Sequence, residues 1–271
     1  MCDHRVIDSV KRRMLSRRDL LRAAPAAAIA AAAGSAAPPA LAAGASKVHD
    51  LTHELDESFP HFFGVQGVAF REVKSFDKDG FLTLELTLNE HSGTHIDAPL
   101  HVSADGASVA EIPVESLVAP LAVVDIRAKA DESDDAELTP DDLKAWTAAN
   151  GPFPERCCVA MFSGWESRLG TGKFRNVDGE GIQHYPGFHL EAAQMLMEET
   201  SAIGIAVDTL SLDYGKSPDF ATHFAWLPTG RWGLENVANL GRLPATGATL
   251  IAGAPKWRGG SGGPTRVMAL L

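Results

Sequence analysis

The chain has 271 residues, 45% hydrophobic and 22% charged, an ordinary globular composition with length for one large domain or two small ones. Its formal charge is −11, yet seven Lys and Arg stand against three Asp and Glu before Ala43, so the remainder carries about −15. So acidic a body lacks the basic face that nucleic acid or anionic lipid requires, and it suits small neutral substrates or cations better.

From the N terminus, residues 1–43 read as an export address. Ser16–Arg22 (SRRDLLR) precedes an Ala-rich apolar run from Ala23 to Ala33, then Pro38, Pro39 and the small residues Ala40–Ala42. Twin arginines ahead of such a run and a small-residue cleavage site are similar to a bacterial Tat-type signal. The run is shorter than the roughly 20 apolar residues a bilayer span needs. The expectation is a periplasmic or secreted protein that begins near Ala43 and has no stable membrane insertion.

Residues 44–271 read as one domain without internal repeats. Phe81–His91 (FLTLELTLNEH) alternates apolar and polar residues at period two, the pattern of a half-buried strand. The acidic segment Ala128–Leu138 reads as a solvated loop. Short apolar runs at Leu121–Arg127, Cys157–Ser163, Ile203–Asp208, Ala248–Gly253 and Arg266–Leu271 suit buried strands. Thr139, with Pro140 behind it and acidic residues in the next turn, predicts a helix start, and His189–Thr200 carries Leu190, Ala193, Leu196 and Met197 at helical spacing. Interleaved strands and helices predict an α/β architecture with a mixed sheet. Cys157 and Cys158 fall together in an apolar run, which predicts two buried, reduced thiols rather than a disulfide.

The densest chemistry lies in His91–His101 (HSGTHIDAPLH). On a helix Asp97 would sit about 200° round from His95, whereas in extended chain His91, His95, Asp97 and His101 share one parity and one face. A straight strand would still hold His91 and His95 about 13 Å apart at the backbone, so two imidazoles could reach one ion only across a bend. Gly93 can supply that bend. The spacing predicts a kinked strand end with His91, His95 and Asp97 around an ion and His101 nearby as a proton carrier. Ordinary hydrogen-bonded histidines are the competing reading; it accounts for any one of them more easily than for four metal-competent side chains on one parity.

The run resembles the H-x-G-T-H-x-D-x-P-x-H signature of the cyclase-like metal-dependent amidohydrolases, the family that contains bacterial kynurenine formamidase and isatin hydrolase. Asp50–Pro60 (DLTHELDESFP), Phe162–Trp165 (FSGW), Tyr185–Phe188 (YPGF) and Gly204–Asp213 (GIAVDTLSLD) resemble further family motifs in the same order. The resemblance implies a mixed, partly barrel-like sheet flanked by helices, of the swivelling β/β/α type. It implies metal ligation by His91, His95 and Asp97, with His101 as general acid and base. His223 and Glu235, twelve residues apart, match the family's C-terminal ligands; bottom-up, His223 reads as a loop residue and Glu235 as part of a short helix, LENVANL. Phe59, Phe62 and Phe63, with His61, stand where the formamidases have a pocket Trp, and Trp165, Trp226 and Trp232 are further pocket candidates. The implied cofactor is one or two divalent transition-metal ions, Zn2+ or Mn2+. The implied assembly is a homodimer or higher homo-oligomer, and the implied activity is hydrolysis of an amide, formamide or cyclic amide. A lactonase or other ester-type hydrolase on the same site, and a non-catalytic periplasmic metal- or ligand-binding protein, are the rival readings.

Overall fold

A computed structural model describes residues 47–271; the export signal read at residues 1–43 lies outside the described residues. Two compact units partition these residues, one containing Ala69–Thr87 and the other residues 47–68 with 88–271. No helix among the described residues is long and apolar enough to cross a membrane.

In chain order the strands are β1 (Val48–Asp50), β2 (Val68–Lys74), β3 (Thr83–Leu88), β4 (His95–Asp97), β5 (Val118–Asp125), β6 (Glu137–Leu138), β7 (Cys158–Phe162), β8 (Gly187–Phe188), β9 (Gly204–Val207), β10 (Trp232–Glu235), β11 (Ala248–Gly253), β12 (Gly262–Pro264) and β13 (Arg266–Leu270). The α-helices are α1 (Phe76–Asp79), α2 (Arg127–Glu132), α3 (Pro140–Asn150), α4 (Leu190–Glu199) and α5 (Ala221–Trp226). The smaller unit is the two-stranded β2–β3 ribbon with α1. The period-two stretch from Phe81 is therefore a strand, but not a half-buried one, since Leu84 and Leu86 are 42% and 50% exposed. Alternation separates two faces of a strand; it does not say that a layer covers either of them.

In the larger unit nine strands form one sheet in the order β1-β13-β11-β5-β7-β9-β10-β4-β12, parallel from β5 through β10 and antiparallel on both flanks. The sheet is curled, as half of a barrel. The central strands are continuous apolar runs because both faces are covered. Ala122, Val124, Val159, Met161, Ile205 and Val207 pack beneath Leu143 and Trp146 of α3 and Ala192, Ala193 and Leu196 of α4. Leu121, Val123, Ala160 and Ala206 face the other way, into a core shared with Ile96, Leu234, Leu250, Val267 and Ala269 of the curled flanks. Cys157 and Cys158 are buried and free, one in each of these cores.

Helix α3 starts as its sequence predicts: Thr139 and Asp142 form a reciprocal capping box, with Pro140 in the first turn. The Ala128–Leu138 segment differs from the solvated loop expected of it. It contains β6 and all of α2 but its first residue, and Asp134 and Asp135 are paired with Arg168 at 2.7 Å and His184 at 2.9 Å. Its charge density concealed partners supplied from far along the chain.

Candidate metal centre

The centre is built on β4, a buried three-residue strand hydrogen-bonded on both sides. Its residues His95 and Asp97, two apart, project from the same face. On one side β10 runs antiparallel with Glu235 directly opposite His95, so their side chains meet across the ladder, with Nε2 of His95 3.3 Å from Oε2 of Glu235. Glu235 thus acts from the end of a strand, not from the helix expected over LENVANL: Asn236 and Asn239 adopt φ of +54° and +58°, which breaks the helical pattern. On the other side β12 pairs with β4, and Gly262 lies opposite Asp97. A Cβ on Gly262 would collide with the Ile96 carbonyl and come within 2.8 Å of the His91 ring.

The bend predicted before His95 is present, with Gly93 at φ +63°. It turns His91 back so that its Nδ1 lies 2.7 Å from Oδ1 of Asp97 and its Nε2 3.0 Å from the Ser261 hydroxyl. The shared parity holds as an extended geometry only for His95 and Asp97. His101 belongs to a 3-10 turn, Pro99–His101, begun by Pro99, and that turn returns its ring to within 3.9 Å of the His91 ring centroid.

The two most buried imidazoles are fixed by their outer nitrogens. Nδ1 of His95 is 2.8 Å from the Gly93 carbonyl, and Nδ1 of His223 is 2.6 Å from Oδ2 of Asp213. Each Nδ1–H donates outward, which leaves Nε2 as a lone-pair donor toward the centre. His223 is helical rather than on a loop, in α5, and Asp213 also accepts from the backbone N–H groups of Thr222 and His223 in that helix's first turn, at 2.7 and 3.1 Å. The inner nitrogen of His223 lies 3.2 Å from Oε1 of Glu235 and 3.6 Å from Oδ2 of Asp97.

His91, His95, Asp97, His101, His223 and Glu235 therefore converge, although residues 97 and 235 are far apart in the chain. They fall into two overlapping sets: ligand atoms of His95, Asp97 and Glu235, and of His91, Asp97 and His101, each lie within 4.8 Å of one another. Asp97 belongs to both. Nε2 of His95 and Oδ2 of Asp97 are buried without a hydrogen-bond partner. Such orphaned atoms are costly unless something else binds them.

Electrostatics point the same way. Burial alone would push the Asp97 carboxyl up, but the His223, His91 and His95 side chains hold it well below the usual carboxylate range. Burial opposes a charge on His95, yet Asp97 and Glu235 raise its pKa to about 10. His223 is raised well above 6.5, the pull of Asp213, Asp97 and Glu235 outweighing its burial. Two buried carboxylates thus draw protons onto the imidazoles, and a divalent cation offers the same compensation with the imidazoles neutral. Nitrogen and oxygen donors without thiolate suit zinc, manganese or iron. His101 behaves differently: dehydration pulls its pKa below 6.5, with Asp97 opposing, so it is mainly neutral at pH 7.

A cavity of about 290 Å³ opens over the centre, bounded by His91, His101 and His223 and by Phe62, Phe63, Phe220 and Phe224, with His61 also in its wall. Phe59 and Trp165 lie elsewhere. They are 8% and 1% exposed and pack with Phe174, Tyr185 and Leu210 in a separate buried cluster. The Trp165 indole donates to the Phe174 carbonyl at 2.8 Å. Trp226 and Trp232 are also core residues, their indoles donating to the carbonyls of Trp232 and Ser116. Aromatic composition alone could not separate wall from core.

The supporting residues escaped the sequence reading as individuals, although GIAVDTLSLD contains two of them. Asp213 orients His223. Asp208 accepts from the backbone N–H groups of Ser163, Gly164 and Trp165 and from the Ser163 hydroxyl, so it clamps the FSGW turn. Burial nevertheless pushes its carboxyl up to about 6 against those four donors. Asn236 ties the two halves together, donating to the Gly93 carbonyl at 2.9 Å while its own carbonyl accepts from the Thr94 hydroxyl.

The Cyclase family model matches residues 49–214. The isatin hydrolase of Roseibium aggregatum is 34% identical over 216 residues, 75% of this chain and 81% of that protein. The kynurenine formamidase of Salinibacter ruber is 29% identical over 183 residues, 68% of this chain and 77% of that protein. Among solved structures, isatin hydrolase A from Labrenzia aggregata, bound to benzyl benzoate, superposes with a TM-score of 0.77 at 36% identity, covering 83% of this chain and 93% of that one. An isatin hydrolase bound to the product analogue thioisatinate gives the same TM-score at 30% identity, covering 95% of this chain and 99% of that one. On a family match that spans more than half of its length, the chain belongs to the Cyclase family.

Proposed function

We propose that this protein is a metal-dependent hydrolase that cleaves the carbon–nitrogen bond of an amide, formamide or cyclic amide. In this reading His91, His95, Asp97, His223 and Glu235 hold one or two divalent ions, zinc or manganese, and His101 moves the proton. The observation that carries it is the convergence of two outward-anchored imidazoles on two buried carboxylates, with unpartnered ligand atoms between them, at the floor of an open cavity. A divalent ion bound there would supply Lewis acidity, making water nucleophilic near neutral pH and drawing charge from a carbonyl oxygen.

The chain's own residues supply the rest. The Gly93 carbonyl and Asp213 hold His95 and His223 in the ligating tautomer. His101, neutral at pH 7 and in ring contact with His91, accepts a proton from the attacking water on a ring nitrogen and returns it to the departing nitrogen. Phe62, Phe63, Phe220 and Phe224 offer apolar walls that bind a flat substrate and limit access of bulk water. The names of the relatives, isatin hydrolase and kynurenine formamidase, support an amide rather than an ester as the scissile group.

The test is a hydrolysis screen of N-formyl aromatic amines, cyclic amides and lactones with zinc or manganese supplied. Turnover of an amide series above the lactone series is the expected result. Preference for lactones would reassign the site to an esterase, and binding without turnover would leave a ligand-binding protein.

A further inference from the structure

The parallel strands carry a second cavity at the end opposite the metal centre. Gly204 of β9 is in register with Cys158 of β7 on one side and Trp232 of β10 on the other, so the three strands begin in one row. Just before that row the chain places Arg156, Ser201 and Arg231, which help to line a cavity of about 400 Å³. Glu235, three residues on from Trp232, lies about 10 Å further along β10. The two cavities share no lining residue.

The chemistry of this wall is opposite to that of the molecule. In an acidic chain the cavity has two guanidinium groups, three hydroxyl residues and no carboxylate among its lining residues. Among the described residues neither Arg156 nor Arg231 has a carboxylate oxygen within 4.0 Å. Both are held in place without being neutralised. Arg156 donates Nη2 to the Ser116 hydroxyl at 3.2 Å, and Arg231 donates Nε to the Ala202 carbonyl at 2.9 Å and Nη1 to the Thr229 hydroxyl at 2.8 Å. Arg231 also lies over the Trp226 ring, 5.2 Å from its centroid. A guanidinium has five N–H donors, so these bonds leave others on each side chain for a ligand. Burial lowers the pKa of Arg231, a cost that no acidic neighbour offsets.

We propose that this cavity is an oxyanion site, separate from the metal centre, that takes a small carboxylate or phosphate between Arg156 and Arg231. Guanidinium groups recognise both anions through charge-assisted hydrogen bonds, and the Ser116 and Ser201 hydroxyls, which only accept from Arg156, add neutral donors. The proposal does not depend on the hydrolase reading, because binding alone is its readout.

Calorimetric titration of the metal-loaded full chain with benzoate and, separately, with inorganic phosphate tests it, in the parent and in Arg156→Gln and Arg231→Gln. The expected result is saturable binding of at least one probe, weakened tenfold or more in each variant while metal content stays unchanged. Binding of benzoate alone would identify a carboxylate site and binding of phosphate alone a phosphate site. Absence of saturable binding by either probe overturns the proposal. So does unaltered binding in the variants, which would place the anion on the metal. Should Arg231→Gln fail to fold, the exposed Arg156→Gln decides the matter alone.

Discussion

His101 and His95 stand six residues apart and are given opposite properties by their surroundings. The carboxylates of Asp97 and Glu235 pull His95 toward a positive charge, whereas dehydration keeps His101 neutral. Replacing His101 by Ala should therefore lower kcat by about 10²–10⁴ and leave metal content intact, as read by steady-state kinetics beside elemental analysis. The sign of its pH dependence follows from the same shift: its basic form prevails above a pKa that lies below 6.5, so the rate should fall as pH drops through that value. Asp213 acts through His223, whose Nδ1 it holds at 2.6 Å. Asp213→Ala should weaken metal affinity by about 10–100-fold in a competition titration with a chelator. The convergence of His91, His95, Asp97 and His101 was readable locally because eleven residues contain all four. Asp213 was not, because an aspartate that only orients another side chain has no spacing signature of its own.

At the scale of elements, capping and periodicity carried most of the information. Thr139, Pro140 and Asp142 mark the start of α3, and the apolar runs become β5, β7, β9, β11 and β13 within a few residues of their expected bounds. Beside the acidic segment and the helix that carries His223, two further elements misled, each for an identifiable reason. Leu84 and Leu86 alternate with polar residues on a ribbon that leaves both leucines exposed, and LENVANL has helical periodicity but two asparagines with positive φ. The FSGW turn, which resembled a family motif, is held by the Asp208 carboxylate through four donors rather than by packing alone. Asp208→Asn puts an amide NH2 against backbone N–H groups that lose their acceptor. It should destabilise the protein by about 1–3 kcal/mol in chemical denaturation while leaving metal affinity nearly unchanged.

At the scale of the molecule, the sheet order brings together what the chain separates. Setting β10 between β9 and β4 puts Glu235 opposite His95 and delivers α5, with His223, above the same floor. Nothing local in the sequence predicts such long-range pairing; only the twelve-residue interval between His223 and Glu235, matched to a known family, made it legible. Because the centre concentrates negative charge in the core, its occupant should stabilise the whole fold. Chelation should lower Tm, and an ion present at 100 times its Kd contributes about 2.7 kcal/mol to stability. Differential scanning calorimetry before and after dialysis against chelator reads that loss. An unchanged Tm would mean that protons alone compensate the carboxylates.

If His91, His95, Asp97, His223 and Glu235 form a metal site on which hydrolysis depends, metal content and activity must rise and fall together. Elemental analysis of protein purified without added metal, with amide hydrolysis measured before chelation, after it and after readdition, reads both quantities on one preparation. The expected result is about one or two zinc or manganese ions per chain, with activity lost with the ion and restored with it. Full turnover by protein that contains no transition metal would rule that dependence out.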